Sequence, residues 1–157
     1  MRNSERGFTL IEMLLVFVIM GIVLSLAAPK LGRAAGQMAV RNARNEVSAM
    51  ISLSRALAIQ NGRRATFRQD GGIVLVTVEK GIGALVDTVS LRDVGAQYGV
   101  SVGPSATLDI PFDPRGFAIP DGSDVERTFA ITRDGFADAV CVVGLGKIST
   151  DKCDVLQ

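Results

Sequence analysis

The run FTLIEMLLVFVIMGIVLSLAA, Phe8 to Ala28, decides more than any other stretch what this chain can become. Its 21 residues, at about 1.5 Å of rise each, match a hydrocarbon core of roughly 30 Å as one helix. Arg2 and Arg6 precede it and Glu12 is the only charge inside it. The positive-inside rule therefore keeps the leader cytoplasmic and sends everything after Pro29 outward. A secretory signal is a weaker reading. Ser25-Leu26-Ala27-Ala28 could serve as a cleavage site, but the run exceeds the roughly 7–15 residues of such a segment, and a carboxylate fits it badly. A plain anchor leaves Glu12 without a role. A carboxylate in the bilayer costs roughly 2.5–3.5 kcal/mol on insertion scales, so it calls for a partner, unless it snorkels to the interface.

Gly7-Phe8-Thr9-Leu10-Ile11-Glu12 resembles the type IV prepilin signature, which type II secretion pseudopilins share. The resemblance implies that prepilin peptidase cuts after Gly7 and that Phe8 becomes the N-methylated amino terminus. It implies that Glu12 serves assembly, pairing with the amino terminus of a neighbouring subunit, and that Pro29 marks a kink in the helix. The chain then divides into a leader (1–7), a transmembrane helix (8–28), an amphipathic continuation (29–62) and a β-rich periplasmic domain (63–157).

Beyond the anchor, about 120 residues remain, enough for one small domain with a core of its own. Loss of residues 1–7 takes Arg2, Arg6 and Glu5 from the 17 basic and 16 acidic residues and leaves the rest formally neutral. No global field draws such a chain to nucleic acid. Ala43, Val47, Met50, Ile51, Ser54, Leu57 and Ala58 recur at spacings of three and four, an apolar stripe on a helix. Asn61-Gly62 supplies its stop. Gly32 and Gly36, following Pro29, predict a kink or a frayed segment over residues 29–36.

After Gly62 the period changes to two. Ala65–Gln69 and Ile73–Glu79 flank Asp70-Gly71-Gly72 as a predicted hairpin. Further strands are predicted at Leu85–Leu91, Tyr98–Val102, Thr107–Ile110, Arg127–Thr132 and Ala139–Val143, with a turn at Thr132–Gly135 and a loop-rich stretch over 103–123. The fold class is α+β: one long helix packed on a C-terminal antiparallel β-sheet. Phe112 through Gly116, the Arg127–Thr132 strand, and Gly146-Lys147 after Val140–Val143 resemble the GspH/FimT group of minor pseudopilins and minor pilins.

Cys141 and Cys153, both in the outward domain, most simply form a disulfide in an oxidising compartment. A buried free Cys141 with an exposed Cys153, or intermolecular pairing, stays open. The chain has no histidine. That removes the commonest general base and the Ser-His and Cys-His arrangements, so no enzyme is expected. Nor can two cysteines alone complete a zinc site. The acidic loop Asp121-Gly122-Ser123-Asp124-Val125-Glu126 offers calcium-like oxygen ligands, but at no EF-hand spacing, and it reads as a solvated loop. No cofactor and no metal are expected.

The resemblance leaves two functions. One is a structural subunit at or near the tip of a type II secretion pseudopilus, with major and minor pseudopilins and an inner-membrane assembly platform as partners. The other is a FimT-like minor pilin of a type IV pilus, involved in pilus assembly or DNA uptake. For the latter, Arg63, Arg64, Arg68 and Lys147 are the candidate nucleic-acid contacts. The arginine-rich Gly-Arg-x-Arg stretch of the DNA-binding members stands here as Gly146-Lys147-Ile148-Ser149, with Asp151 and Asp154 close by, so nucleic acid is disfavoured.

Overall fold

A computed structural model describes residues 8–81, 85–119, 127–143 and 146–150, with backbone only at 27–29. Helix α1 spans Leu10–Asn61, 52 residues. Two strands form a hairpin, β1 (Ala65–Asp70) and β2 (Ile73–Glu79), and β3 (Val86–Asp93) follows. A short helix α2 (Val94–Tyr98), then β4 (Ser101–Val102), β5 (Leu108–Phe112), β6 (Arg127–Arg133), β7 (Phe136–Val142) and β8 (Ile148–Ser149) complete the order.

The chain forms two compact units, one through Ala35 and one from Gly36. In the first, α1 presents large apolar side chains to its surroundings all the way round, as a segment solvated by lipid or by other helices must. In the second, α1 is amphipathic. Ala43, Val47, Met50, Ile51, Ser54 and Ala58 are buried and Leu57 is half-buried, the stripe that the spacing predicts, with Val40 extending it. Residues 29–36 keep helical backbone throughout, so the frayed form of that expectation is not met. Long good helix-forming runs on both sides offset the local cost of one proline and two glycines.

The expected single sheet is instead two four-stranded sheets. One has the order β3-β2-β1-β5 and the other β4-β6-β7-β8. All pairings are antiparallel. The β1–β2 hairpin pairs Ala65 with Val78 and Asp70 with Ile73, and the register of β2 and β3 shifts at Val76/Thr77. Alternation turns Ala65, Phe67 and Gln69 of β1 and Val74, Val76 and Val78 of β2 inward. Phe129 and Ile131 of β6 and Val140 and Val142 of β7 face the same core. Phe67 and Phe129, one from each sheet, meet edge to face at 5.4 Å between ring centroids. One apolar interior thus serves the helix stripe and both sheets.

Three local assignments depart from expectation. Tyr98 does not begin a strand: Asp93 caps α2 by accepting from the Ala96 amide at 2.8 Å, and Gly99 ends it with φ of 62°. A cap outweighs the strand propensity of neighbouring residues over so short a span. β5 runs on through Pro111, tolerated because β5 is an edge strand and needs no amide there. β8 pairs Ile148 with Val142 and Ser149 with Cys141, a return strand too short to announce itself by period.

Candidate functional site

Three groups of residues carried the functional expectations. The first is the amino-terminal end of α1. Thr9 stands just before the helix, and its Oγ1 accepts from the Glu12 amide at 3.3 Å while its carbonyl accepts from the same amide at 3.1 Å. Thr9-Leu10-Ile11-Glu12 is thus a capping-box sequence with its Thr half made. Glu12 occupies the third helical position, where a carboxylate is favoured by the helix dipole. Thr9 was the residue missed, and Ser/Thr three before Glu was the signal that could have found it. Phe8 and Glu12 are exposed; Gly7 lies outside the described residues.

Deeper in the same segment, nothing lies within 4 Å of the position a Cβ would take on Gly21. Ser25 donates its hydroxyl to the Ile22 carbonyl at 2.8 Å. The hydroxyl is therefore satisfied within its own helix, and the face bearing Gly21 and Ser25 is small and not demanding of a polar partner.

The second group is basic. Arg63, Arg64, Arg68 and Lys147 are exposed, but two of the four are committed. Arg68 grips the cross-strand Asp109 with two bonds, Nε to Oδ1 at 2.7 Å and NH2 to Oδ2 at 2.6 Å. The hydrogen bond to Asp109 and its charge raise the arginine's pKa further. Arg64 stands 3.8 Å from Glu79. Arg63 lines two open clefts of about 420 and 400 Å³, one shared with Arg64, Glu79 and Asp113, the other with Leu57, Val89 and Asp87. Acidic residues line both, so neither offers a polyanion several uncompensated cations.

One of these acidic residues is committed to its own turn. Asp113 accepts from the amides of Phe117 at 2.8 Å and Arg115 at 2.9 Å. The Phe117 amide is the main cause that holds its carboxyl below the usual range. Among the described residues no cluster of acidic, cysteine or histidine side chains could hold a metal ion. The acidic loop at 121–126 lies outside them.

The third group is the carboxyl-terminal half. Cys141 is buried in β7, accepts from the Thr128 hydroxyl at 3.8 Å, and pairs in register with Ser149. Cys153 lies outside the described residues. The two segments that resemble the GspH/FimT group touch one another. A Cβ on Gly146, at φ of 73°, would stand 2.7 Å from the Gly116 carbonyl and 3.4 Å from Phe112 Cε1. Arg55 NH1 donates to the Gly146 carbonyl at 3.0 Å, so the end of α1 holds both turns. Arg55, off the apolar stripe, gave no sign of this in sequence.

With this geometry in hand, comparison with known proteins gives two findings. Residues 2–28 match the prokaryotic N-terminal methylation motif. Two crystal structures of the type IV minor pilin FimU of Pseudomonas aeruginosa strain PAO1 superpose with TM-scores of 0.55 and 0.57 at 20% identity. They cover 71% and 72% of this chain and 92% and 88% of their own. No curated protein matches. The fold is thus pilin-like, a long amino-terminal helix followed by antiparallel sheets. The motif and the apolar helix together point to membrane anchoring.

Proposed function

We propose that this chain is a minor pseudopilin, a structural subunit at or near the tip of a type II secretion pseudopilus that assists export of folded proteins. The reading is carried by one observation: a helical segment of exposed large apolar side chains with a lone carboxylate, Glu12, at its third position, followed by a domain with no excess of basic residues. Prepilin peptidase cuts between Gly7 and Phe8, and Phe8 is methylated. Its positive amino end in one subunit meets Glu12 of the next, within apolar surroundings that strengthen the pair. Pro29 gives the helix its point of adjustment. The anchor sits in the inner membrane and the sheets in the periplasm. There Cys141 pairs with Cys153: no cysteine among the described residues is free, and β8 leads the chain back past Cys141. A loop of this length stabilises by about 3 kcal/mol.

A second reading, a minor pilin of a type IV pilus, is favoured by the FimU structures, which are of such a protein. Its DNA-binding form is not, because Arg68 is spent on Asp109 and Arg64 faces Glu79. A clean deletion separates the readings. Lost exoprotein secretion with normal twitching and DNA uptake supports the pseudopilus; lost twitching or uptake with normal secretion moves the chain to a pilus. Within either, Glu12→Ala is expected to leave cleavage intact and abolish incorporation, and normal incorporation would refute the pairing.

A further inference from the structure

Gln37, Arg41 and Arg44 of α1 and Phe136, Ala137 and Asp138 of β7 line a cavity of about 160 Å³. Gly36 makes the room for it. This glycine is buried against Phe136, and a Cβ there would stand 3.3 Å from Cδ2 and Cε2 of the ring. Buried Val40 and half-buried Phe136 give the cavity an apolar lining. Its polar side is a partly exposed ion pair: Arg44 NH1 stands 3.2 Å from Asp138 Oδ2, with 18% and 28% of the two side chains exposed.

The charges here do not balance. Arg44 donates once more, from NH2 to Asn45 Oδ1 at 3.3 Å, and its buried Nε has no partner among the described residues. Asp138 divides its acceptors, since its Oδ1 takes the Ala139 amide at 2.9 Å. One carboxylate and one amide oxygen therefore serve a guanidinium with five donors. Arg41, three residues earlier on the same helix face, is exposed and has no partner among the described residues. Like charges at that spacing repel. Two cations and one carboxylate leave a single surplus positive charge beside apolar walls. A drug-sized ligand needs roughly 300–1,000 Å³, and a polyanion needs several free cations. What fits is one carboxylate on a short apolar stem.

We propose that this cavity receives the carboxylate of an acidic side chain from a neighbouring subunit of different sequence, with Arg41 as its principal cation. A lone carboxylate on partly exposed cations gains too little to hold a free small molecule, so the group arrives as part of a larger protein contact. A second copy of this chain is a poor source of it. From Gly36 onward, every other carboxylate among the described residues already has an ion-pair or hydrogen-bond partner. The inference rests on assembly with other pilin-like subunits, which both readings of function share, so its failure leaves the choice between them untouched.

The test uses the full chain in zwitterionic detergent micelles, with acetyl-Ala-Glu-Ala-amide as the probe and its Gln counterpart as the control. Both are titrated at constant ionic strength while the Phe136 and Ala137 amide signals are followed by NMR. The Glu peptide is expected to half-saturate these shifts at a concentration about fivefold below the Gln peptide. R41Q is expected to remove that difference and R41K to keep most of it. Neither should move the urea midpoint, because Arg41 is exposed. In cells, R41E is expected to reach the membrane normally and to enter the filament about tenfold less. Equal half-saturation by the two peptides, an unchanged preference in R41Q, or normal incorporation of R41E overturns the proposal. So does self-association of the native chain that R41Q abolishes, since a second copy would then be the occupant.

Discussion

Gln69 is the only buried side-chain amide among the described residues, and replacing it with Glu is a stringent test of how the two sheets are joined. Its Nε2 donates to the carbonyls of Gly71 at 2.7 Å, Pro104 at 3.1 Å and Val102 at 3.3 Å. Val102 belongs to β4 of the second sheet, so one amide group on β1 ties the sheets together. Two protons serve three acceptors, while Oε1 has no partner among the described residues. Glu has the same shape and no amide protons. Ionised, it directs a carboxylate at three carbonyl dipoles in a dry site; protonated, it can donate once. Burial beside acceptors alone raises a carboxyl pKa by up to 3–5 units, and about 3 units corresponds to roughly 4 kcal/mol at neutral pH. The folded-state pKa of the new carboxyl lies above its unfolded value of about 4.3. The penalty is therefore full at pH values above the raised pKa and shrinks as pH falls towards the unfolded one. Urea unfolding of the full chain in micelles, followed by far-UV circular dichroism at neutral and at mildly acidic pH, reads this directly. Q69E should lose about 4 kcal/mol at pH 7 and regain much of it near pH 5. Gln69→Leu, which also removes the unpartnered oxygen, should cost only about 1–3 kcal/mol, without pH dependence. A Q69E chain as stable as the native one at pH 7 would refute the account.

Further expectations rest on other contacts. Gly146→Ala should cost about 2 kcal/mol or more, since a left-handed Ala is strained and its Cβ falls 2.7 Å from the Gly116 carbonyl; an unchanged urea midpoint would contradict this. Arg68→Ala with Asp109→Ala, taken through a double-mutant cycle, should show a coupling below about 1 kcal/mol because the pair is exposed. Asp113, held low chiefly by the Phe117 amide, should stabilise its turn at all pH values above the ordinary carboxylate range. That contribution should be lost as pH falls through its depressed pKa. The Phe117 amide shift in an NMR titration should therefore turn over below the usual carboxylate midpoint, and a midpoint above it would overturn the assignment.

The parts of this fold that were legible in the sequence are those with a long period or a sharp turn. The stripe from Ala43 to Ala58 repeats often enough to outvote local noise, and Asp70-Gly71-Gly72 fixes the β1–β2 hairpin almost alone. The division into two sheets was not legible, because alternation tells which face of a strand is buried and not which strand lies beside it. α2 and β8 were too short to show a period, although Asp93 and Gly99 could have been read as caps. At the candidate site, Gly7, Phe8 and Glu12 were recognised as a motif, while the cap made by Thr9 was overlooked. The commitment of Arg68 to Asp109 depends on residues 41 apart in the chain, and no local pattern reports such a meeting. The same holds for Arg55 and Gly146.

The exposed segment of α1 also decides which forces are left to choose its neighbours. From Phe8 to Leu26, fifteen large apolar side chains stand about half exposed or more. At about 1.5 kcal/mol or more for each, moving them into water costs upwards of 20 kcal/mol. Transfer of this segment between lipid and a bundle of like helices exchanges one apolar solvent for another, and nearly all of that free energy cancels. What remains to discriminate one neighbour from another is shape and the few polar groups. Ser25 has already donated its hydroxyl to Ile22, and the Thr9 hydroxyl oxygen already accepts at the helix end. Among the described residues of this segment the one charged side chain is Glu12, and the interactions of a carboxylate strengthen as its surroundings become drier.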